Sequence, residues 1–555
     1  MKMEYATNWN SFVLWTIALL FSIVRCSDAS TDHLLNCTAR GVHITLGDYY
    51  TMEQKPYELE ATSEIFKIGL VVETPCRPPV LYFQPCPQNT KFPCTLRETN
   101  DNDISEETPS GAIYERSAYF YSITSEHLSY FSQWKVNSNG TWIHFPKGVT
   151  KAGGSVRLIV MSDMDISPAS EDTRKWLLSK REMGSDGLSY DLIAHVGDFA
   201  YDLQDDGGER GDRFFDEMSK SITSRVPYII TFGNHDNYKD GEFLNYRFEM
   251  PGTKDSKWKN RYYDFIYKGM YVMACDLGDI ARYHPENEME IFEWVEKRLK
   301  LAYEREDVVW IVFISHKSIV CNDIEFTPEC FFNFYPLKKF EDLFIKYDVD
   351  LVVNGHLHIY SRYKPFYNFQ LQKQSGVESP MKLYSQIIAG NAGTSVSEPP
   401  QSSFKKTELL LPFVASVYLT GPTVLSIEFN GDNIKVDAID TETGKAVDHW
   451  RRDFKPGKRW GLWIITIVII AGAGWVVYIW WQSKKRSEAL SELKKEEELL
   501  PKQPESYSPA EAPRKVRDAG RADRPMIVIS PEREDMRTSK KQTLQRSDTN
   551  NHLKI

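Results

Sequence analysis

The sequence has little cysteine, no surplus of positive charge and almost no long apolar run. Eight cysteines in 555 residues are too few for a scaffold built on disulfides, and no two stand in a CxxC zinc spacing. The net charge of −10 excludes a broadly basic surface of the kind that binds nucleic acid. No internal repeat is present, which excludes solenoids and propellers. What is there describes a folded protein: 41% of residues are hydrophobic and 26% charged, close to the globular average.

Two uncharged apolar runs stand out. The first, Phe12 to Val24, is too short to span a bilayer and is followed by polar sequence, so residues 1–26 read as a signal peptide. The second, Trp460 to Trp481, reads WGLWIITIVIIAGAGWVVYIWW. At 1.5 Å per residue it is about 33 Å long, and aromatic residues cluster at both ends, so 460–481 is expected to be a transmembrane helix. Basic residues flank the run on both sides, from Arg451 to Arg459 and from Lys484 to Arg486, so flanking charge does not orient it. The signal peptide does. The expectation is a single-pass type I membrane protein, with residues 27–459 lumenal or extracellular and the tail 482–555 cytosolic. The tail is polar and rich in Pro and charge, and is expected to be disordered. Sequons at Asn36 and Asn139 fall on the proposed outer side.

Cysteine placement fits an oxidising compartment. Cys37, Cys76, Cys86 and Cys94 form one group, which allows three pairings. Cys321 and Cys330 are near enough in sequence to close a short loop, and Cys275 in MYVMACDLG reads as a buried strand thiol. Residues 27–150 hold short β-rich runs such as IFKIGLVVE and AIYERSAYFYSI, the pattern of a small β-sandwich. From 151 to 450 the pattern alternates between strand and helix: SVRLIVMSD, EDTRKWLLSKREM, YDLIAHVGD, GDRFFDEMSKSI, YIITFGNHD and onwards. That is a layered α/β unit. Residues 451–459 are left as a juxtamembrane linker.

Polar residues gather where these strands end, and strand ends are where open α/β sheets place their chemistry. In order they are Asp163; Asp198 with Tyr201; Asn234 with His235; His316; and His356 with His358. Any one alone would read as structural. Together, at five strand exits of one unit, they read as a metal site. His356 and His358 are two apart, so on extended chain both imidazoles face one side. Charge separates the donors into two sets. Asp163, Asp198, Tyr201 and His358 are hard and anionic, suited to Fe(III). Asp198 as a bridge with Asn234, His316 and His356 is nearer neutral and suits a divalent ion. Two cations sharing a carboxylate can clamp a phosphoryl group and activate water.

These residues resemble the purple acid phosphatases of the metallophosphoesterase superfamily. The family pattern D-x-G, G-D-x-x-Y, G-N-H-[DE], a strand ending in His, and G-H-x-H is matched by Asp163-Met164-Asp165, Gly197-Asp198-Phe199-Ala200-Tyr201, Gly233-Asn234-His235-Asp236, His316 and Gly355-His356-Leu357-His358. The resemblance covers about residues 155–450 and is nearest the high-molecular-weight branch. It implies a fibronectin-like N-terminal sandwich and a four-layer core, a β-sandwich flanked by helices. It implies Fe(III) plus a divalent Zn, Fe or Mn, and hydrolysis of phosphate monoesters at acidic pH with His235 protonating the leaving group. A small phosphate ester is the expected substrate and the membrane the expected anchor. No nucleic acid is expected, and a homodimer is left open. A phosphodiesterase on the same scaffold, or a receptor retaining the metal site, are the other readings. Two departures matter. Asp165 replaces the glycine of D-x-G; it either adds an oxygen ligand or accepts hydrogen bonds behind the ligands, the latter being the expectation. The stretch KSIVCNDIEFTPEC after His316 lacks the further histidine that relatives often carry there.

Overall fold

The computed structural model describes residues 38–498, apart from 54–58, 74–78, 87–92, 97–101, 108–112, 147–153, 181–189, 279–283, 320–337, 368–369, 372, 375–376, 379–382, 395–413, 419–420 and 454–458. The expected signal peptide, Cys37 and Cys76, the Cys321–Cys330 loop, the sequon at Asn36 and the tail beyond 498 lie outside these residues.

Two mixed sheets build the α/β unit. One has the order Tyr228–Thr231, Leu192–Val196, Val156–Met161, Thr423–Phe429, Asn433–Asp440, Ala446–Asp453. Its first three strands are parallel and its last three antiparallel. The other runs Tyr262–Tyr267, Met270–Cys275, Trp310–Ser315, Leu351–Asn354, Ser385–Ala389, Tyr360–Tyr363, Val414–Tyr418, with the four strands from Met270 to Ala389 parallel. The parallel strands are apolar nearly throughout because both their faces are covered. Val272, Ala274, Val312, Ile314, Leu351 and Val353 share one core with Val156, Leu158, Val160 and Ile193 of the first sheet. Their alternating neighbours Tyr271, Met273, Cys275, Ile311, Phe313 and Val352 turn the other way. There they pack against Ile291, Val295 and Leu299 of helix Glu288–Glu304 and against Phe340 and Phe344. This two-residue alternation is the physical basis of the expected layers. Cys275 is a buried free thiol on its strand, as its sequence context indicates.

The N-terminal part, expected to be a sandwich, holds two four-stranded antiparallel sheets. One sheet has the order Arg40–Leu46, Glu64–Glu73, Ile113–Thr124, Asn102–Glu107; the other, Thr95–Leu96, Leu81–Gln84, Gln133–Val136, Ile143–His144. A disulfide joins Cys86 to Cys94, at the ends of two strands that pair. Asn139 is exposed in the turn after Gln133–Val136. The two N-terminal sheets and the α/β unit are not separate bodies: the described residues up to 466 form one compact unit.

The remaining unit, 467–555, is described only where helix Arg459–Glu498 continues through it. Trp475, Val476, Val477 and Trp480 are exposed on that helix. Among the described residues no helix is long and apolar enough to cross a membrane. The run 460–481 lies in this helix, and the side chains of its first ten residues are outside those described.

Candidate metal centre

Each predicted residue sits just beyond the carboxyl end of a parallel strand, where an apolar run gives way to a turn. Asp163 follows Val156–Met161, Asp198 follows Leu192–Val196, Asn234 follows Tyr228–Thr231, His316 follows Trp310–Ser315, and His356 follows Leu351–Asn354. The two sheets aim these ends at one place.

The turns are tight. Asp163, Asp198, Ala200, Tyr201, Asp202 and His356 all have φ between 50° and 81°, a region that costs a non-glycine residue about 1–3 kcal/mol. The surroundings must therefore hold it. Asp236 does much of this. Its Oδ2 accepts from the N–H groups of Asp198 (2.8 Å) and Gly233 (2.7 Å), and its Oδ1 from Phe199 (3.1 Å). One buried carboxylate thus ties two ligand loops together. Gly233 and Gly355 are required by space. A Cβ at Gly233 would strike the Asp198 carboxylate, and one at Gly355 would lie 2.7 Å from Asp163 Oδ2.

The side chains then fall into two groups. In the first, the Tyr201 hydroxyl is 2.7 Å from His358 Nε2 and 3.3 Å from Asp163 Oδ1. His358 Nε2 is 3.5 Å from the same Asp163 oxygen, and Asp163 Oδ2 accepts the His356 N–H at 2.8 Å. In the second, His316 Nε2 is 3.3 Å from both Asp198 Oδ2 and Asn234 Oδ1. One ligand atom each from Asp198, His316 and His356 lies within 4.8 Å of the others. His316 Nδ1 donates to Val196 O at 2.8 Å. That bond fixes the tautomer and turns the Nε2 lone pair inward, the usual arrangement of a metal-ligating imidazole.

Electrostatics say what this cluster would accept. Burial pulls the His316 imidazole down, but the Asp198 and Asp163 carboxylates outweigh it and push it up to about 9. Burial works against an ionised Asp198; His316 and His235 reverse this and hold it below the usual carboxylate range. The Tyr201 phenol is driven far up by burial and then by Asp163 and Asp198. Only added positive charge could make it a phenolate. Carboxylate, imidazole, amide and phenol oxygens or nitrogens converging without a fixed guanidinium among them fit a pair of metal cations.

His235 stands at the rim, its side chain 38% exposed. Its Nδ1 is 3.3 Å from Asp202 Oδ1 and its ring packs 4.9 Å from that of Tyr201. Asp165 is turned to other work. Its Oδ1 takes the Arg210 guanidinium at 2.5 Å and the Ile166 N–H at 2.7 Å. Arg210 also donates to Ala200 O, so this pair braces the Asp198–Tyr201 loop from behind, as the sequence reading favoured.

Three further residues take part in the site. Asp236 was visible as the last residue of the G-N-H-[DE] motif, but its three backbone contacts were not. Arg210 and Lys317 carried no signal beyond their charge. Lys317 Nζ lies 2.5 Å from His356 Nε2.

Comparisons with known proteins agree with this geometry. Residues 156–360 match the calcineurin-like phosphoesterase family. Acid phosphatase type 7 of Mus musculus is 28% identical over 366 residues, covering 61% of this chain and 78% of that protein. The Homo sapiens protein of the same name is 29% identical over 359 residues with the same coverage. Among solved structures, a purple acid phosphatase from yellow lupin (Lupinus luteus) seeds superposes with a TM-score of 0.54 at 16% identity, over 75% of this chain and 74% of that one. Residues 156–360 are therefore a calcineurin-like phosphoesterase domain, set in a chain that resembles the purple acid phosphatases.

Proposed function

We propose that this chain is an acid phosphatase that hydrolyses small phosphate monoesters at acidic pH, using Fe(III) and a divalent Zn, Fe or Mn. The observation that carries this reading is the placement of Tyr201. Its hydroxyl stands against Asp163 and His358, while His316 stands against Asp198 and Asn234. The anionic group would hold the trivalent ion and the more neutral group the divalent one, with Asp198 between them. When bound, the two cations supply Lewis-acid charge for the phosphoryl oxygens and an activated water. The chain does the rest. Asp236, through three backbone N–H groups, keeps the ligand turns in place. His235 meets the ester at the rim, and Asp202 orients its ring so that Nε2 can give a proton to the departing alkoxide.

The same reading keeps residues 27–459 on the lumenal or extracellular side, with the run 460–481 as anchor and the tail cytosolic. The exposed sequon at Asn139 supports it.

Metal analysis and a visible spectrum of the purified full chain test the proposal. Expected are two metals per chain, one of them iron, and a charge-transfer band that disappears in Tyr201→Phe while circular dichroism is unchanged. A band that survives in Tyr201→Phe removes Tyr201 from the ligand set. A strong preference for diesters over monoesters would select the phosphodiesterase reading. Glycosidase sensitivity of the same preparation checks the topology.

A further inference from the structure

Two histidines of the more neutral donor group come from neighbouring strands. Trp310–Ser315 and Leu351–Asn354 run parallel, and their last residues, Ser315 and Asn354, are partners in register. Beyond that pair the ladder ends, and His356, with φ 72°, has left extended geometry. The spacing of His316 and His356 therefore depends on what ties the two chains together after the strands stop.

The Asn354 side chain takes over from the ladder. It is fully buried. Its Nδ2 donates to Ser315 O at 2.8 Å and to Lys317 O at 3.2 Å, the carbonyls on either side of His316. The next backbone N–H, that of Gly355, donates to His316 O at 3.0 Å. Three successive carbonyls on one chain are thus held by two successive residues on the other, and of those two only Asn354 has a side chain to change. A carbonyl can only accept, so the two contacts fix which end of the amide is which. The Oδ1 end is buried without a hydrogen-bond partner among the described residues, an arrangement that costs about 1–3 kcal/mol. A leucine of similar size would avoid that cost but would donate to neither carbonyl. With the backbones held in this way, the His316 and His356 rings stand 5.3 Å apart, and one ligand atom from each lies within 4.8 Å of the other and of Asp198.

We infer that Asn354 is a positioning residue: its amide sets the spacing of His316 and His356, and through it the affinity of the divalent ion. This rests on the two-metal reading above and assigns that reading a residue that acts on one metal and not the other. Asp163, Tyr201 and His358 make none of their contacts through Asn354.

The test uses the full iron-loaded chain with Asn354→Leu, which keeps the bulk and removes both donors. Zinc affinity is measured by calorimetry, iron content by atomic absorption, the visible band by absorbance, and kcat with an aryl phosphate at rising zinc. The zinc dissociation constant should rise about tenfold to a hundredfold, the loss typical when a group supporting a metal ligand is removed. Iron content and the visible band should stay unchanged, and saturating zinc should restore most of kcat. Asn354→Ala serves if the Leu variant does not fold. Zinc affinity equal to that of the parent chain overturns the assignment. So does an equal weakening of iron and zinc, which would make Asn354 a support of the fold at large. A parent chain that binds zinc but hydrolyses no monoester, with zinc binding weakened in Asn354→Leu, defeats the functional reading and leaves the role of Asn354 standing.

Discussion

Two clusters of buried charge lie in the same compact unit, and they are opposite in kind. At the seam between sandwich and core, Asp212 is fully buried. It meets Arg40 at 3.2 Å, Arg116 at 2.8 Å, and Arg247. Arg40 also reaches Glu209 and Asp216, at 2.8 and 2.9 Å. Every anion there has a guanidinium, and a guanidinium has no lone pair to offer a ligand. The cluster is closed on itself. At the strand exits, Asp163, Asp198 and Asp236 are just as buried, but their neighbours are mostly imidazoles, a phenol and an amide. Those groups carry lone pairs and point them inward. Net charge separates the two less than the identity of the partners does: arginine seals a structural cluster, whereas imidazole leaves one able to take a cation.

The largest expected effect breaks that contrast at its functional end. Asp198→Asn removes the carboxylate shared by both donor groups. The variant should hold at most one metal per chain and lose at least about a thousandfold in kcat, several kcal/mol of barrier at 1.36 kcal/mol per tenfold. Folding, read by circular dichroism, should be intact. A variant that keeps two metals would show that Asp198 is not the bridge.

Asp212→Asn attacks the structural end. It leaves three arginines facing an amide, and loss of one partner in a buried ionic cluster costs about 3–5 kcal/mol. Chemical denaturation should show that loss, while metals per folded chain stay the same. Loss of metal with unchanged stability would reverse the roles assigned to the two clusters.

How much of this was legible in the sequence differs between the clusters in the same way. Asp163, Asp198, Asn234, His316 and His356 were readable because each interrupts an apolar run at its end, a local signal. Asp212 sits in GDRFFDEM, where an acidic residue on a helix reads as solvent-facing. Its burial depends on Arg40 and Arg116, 172 and 96 residues earlier, and no local pattern reports such a meeting. Lys317 was hidden likewise, since lysine after a strand normally points to water. The run 460–481 lies in helix Arg459–Glu498, and among the described residues no helix is long and apolar enough to cross a membrane.

The smallest effect sharpens the comparison through pH. His43 is fully buried against Phe248, its Nδ1 on Gly41 O. Burial, helped by the Arg247 guanidinium and opposed by the Gly41 carbonyl, lowers it to about 4. Its folded value lies below the unfolded one of about 6.5, so the unfolded chain binds the proton more readily. Its cost is therefore absent above about pH 6.5, grows as the pH falls to about 4, and is constant below. The shift corresponds to at most about 3 kcal/mol. In His43→Gln the drop in unfolding free energy between pH 7 and pH 4 should shrink by up to that amount. An unchanged pH dependence would mean that His43 does not set acid sensitivity at this seam.

Helix Glu209–Met218 belongs to both clusters at once. Glu209, Asp212 and Asp216 hold the sandwich, and Arg210, one residue into the same helix, holds Asp165 and the loop of Tyr201. The boundary near residue 150 is thus a seam in the sequence but not a hinge in the machine. A minimal catalytic fragment cut there would leave behind Arg40 and Arg116 and release the helix that braces the loop, so the sandwich works as part of the tool holder and cannot be discarded as an accessory.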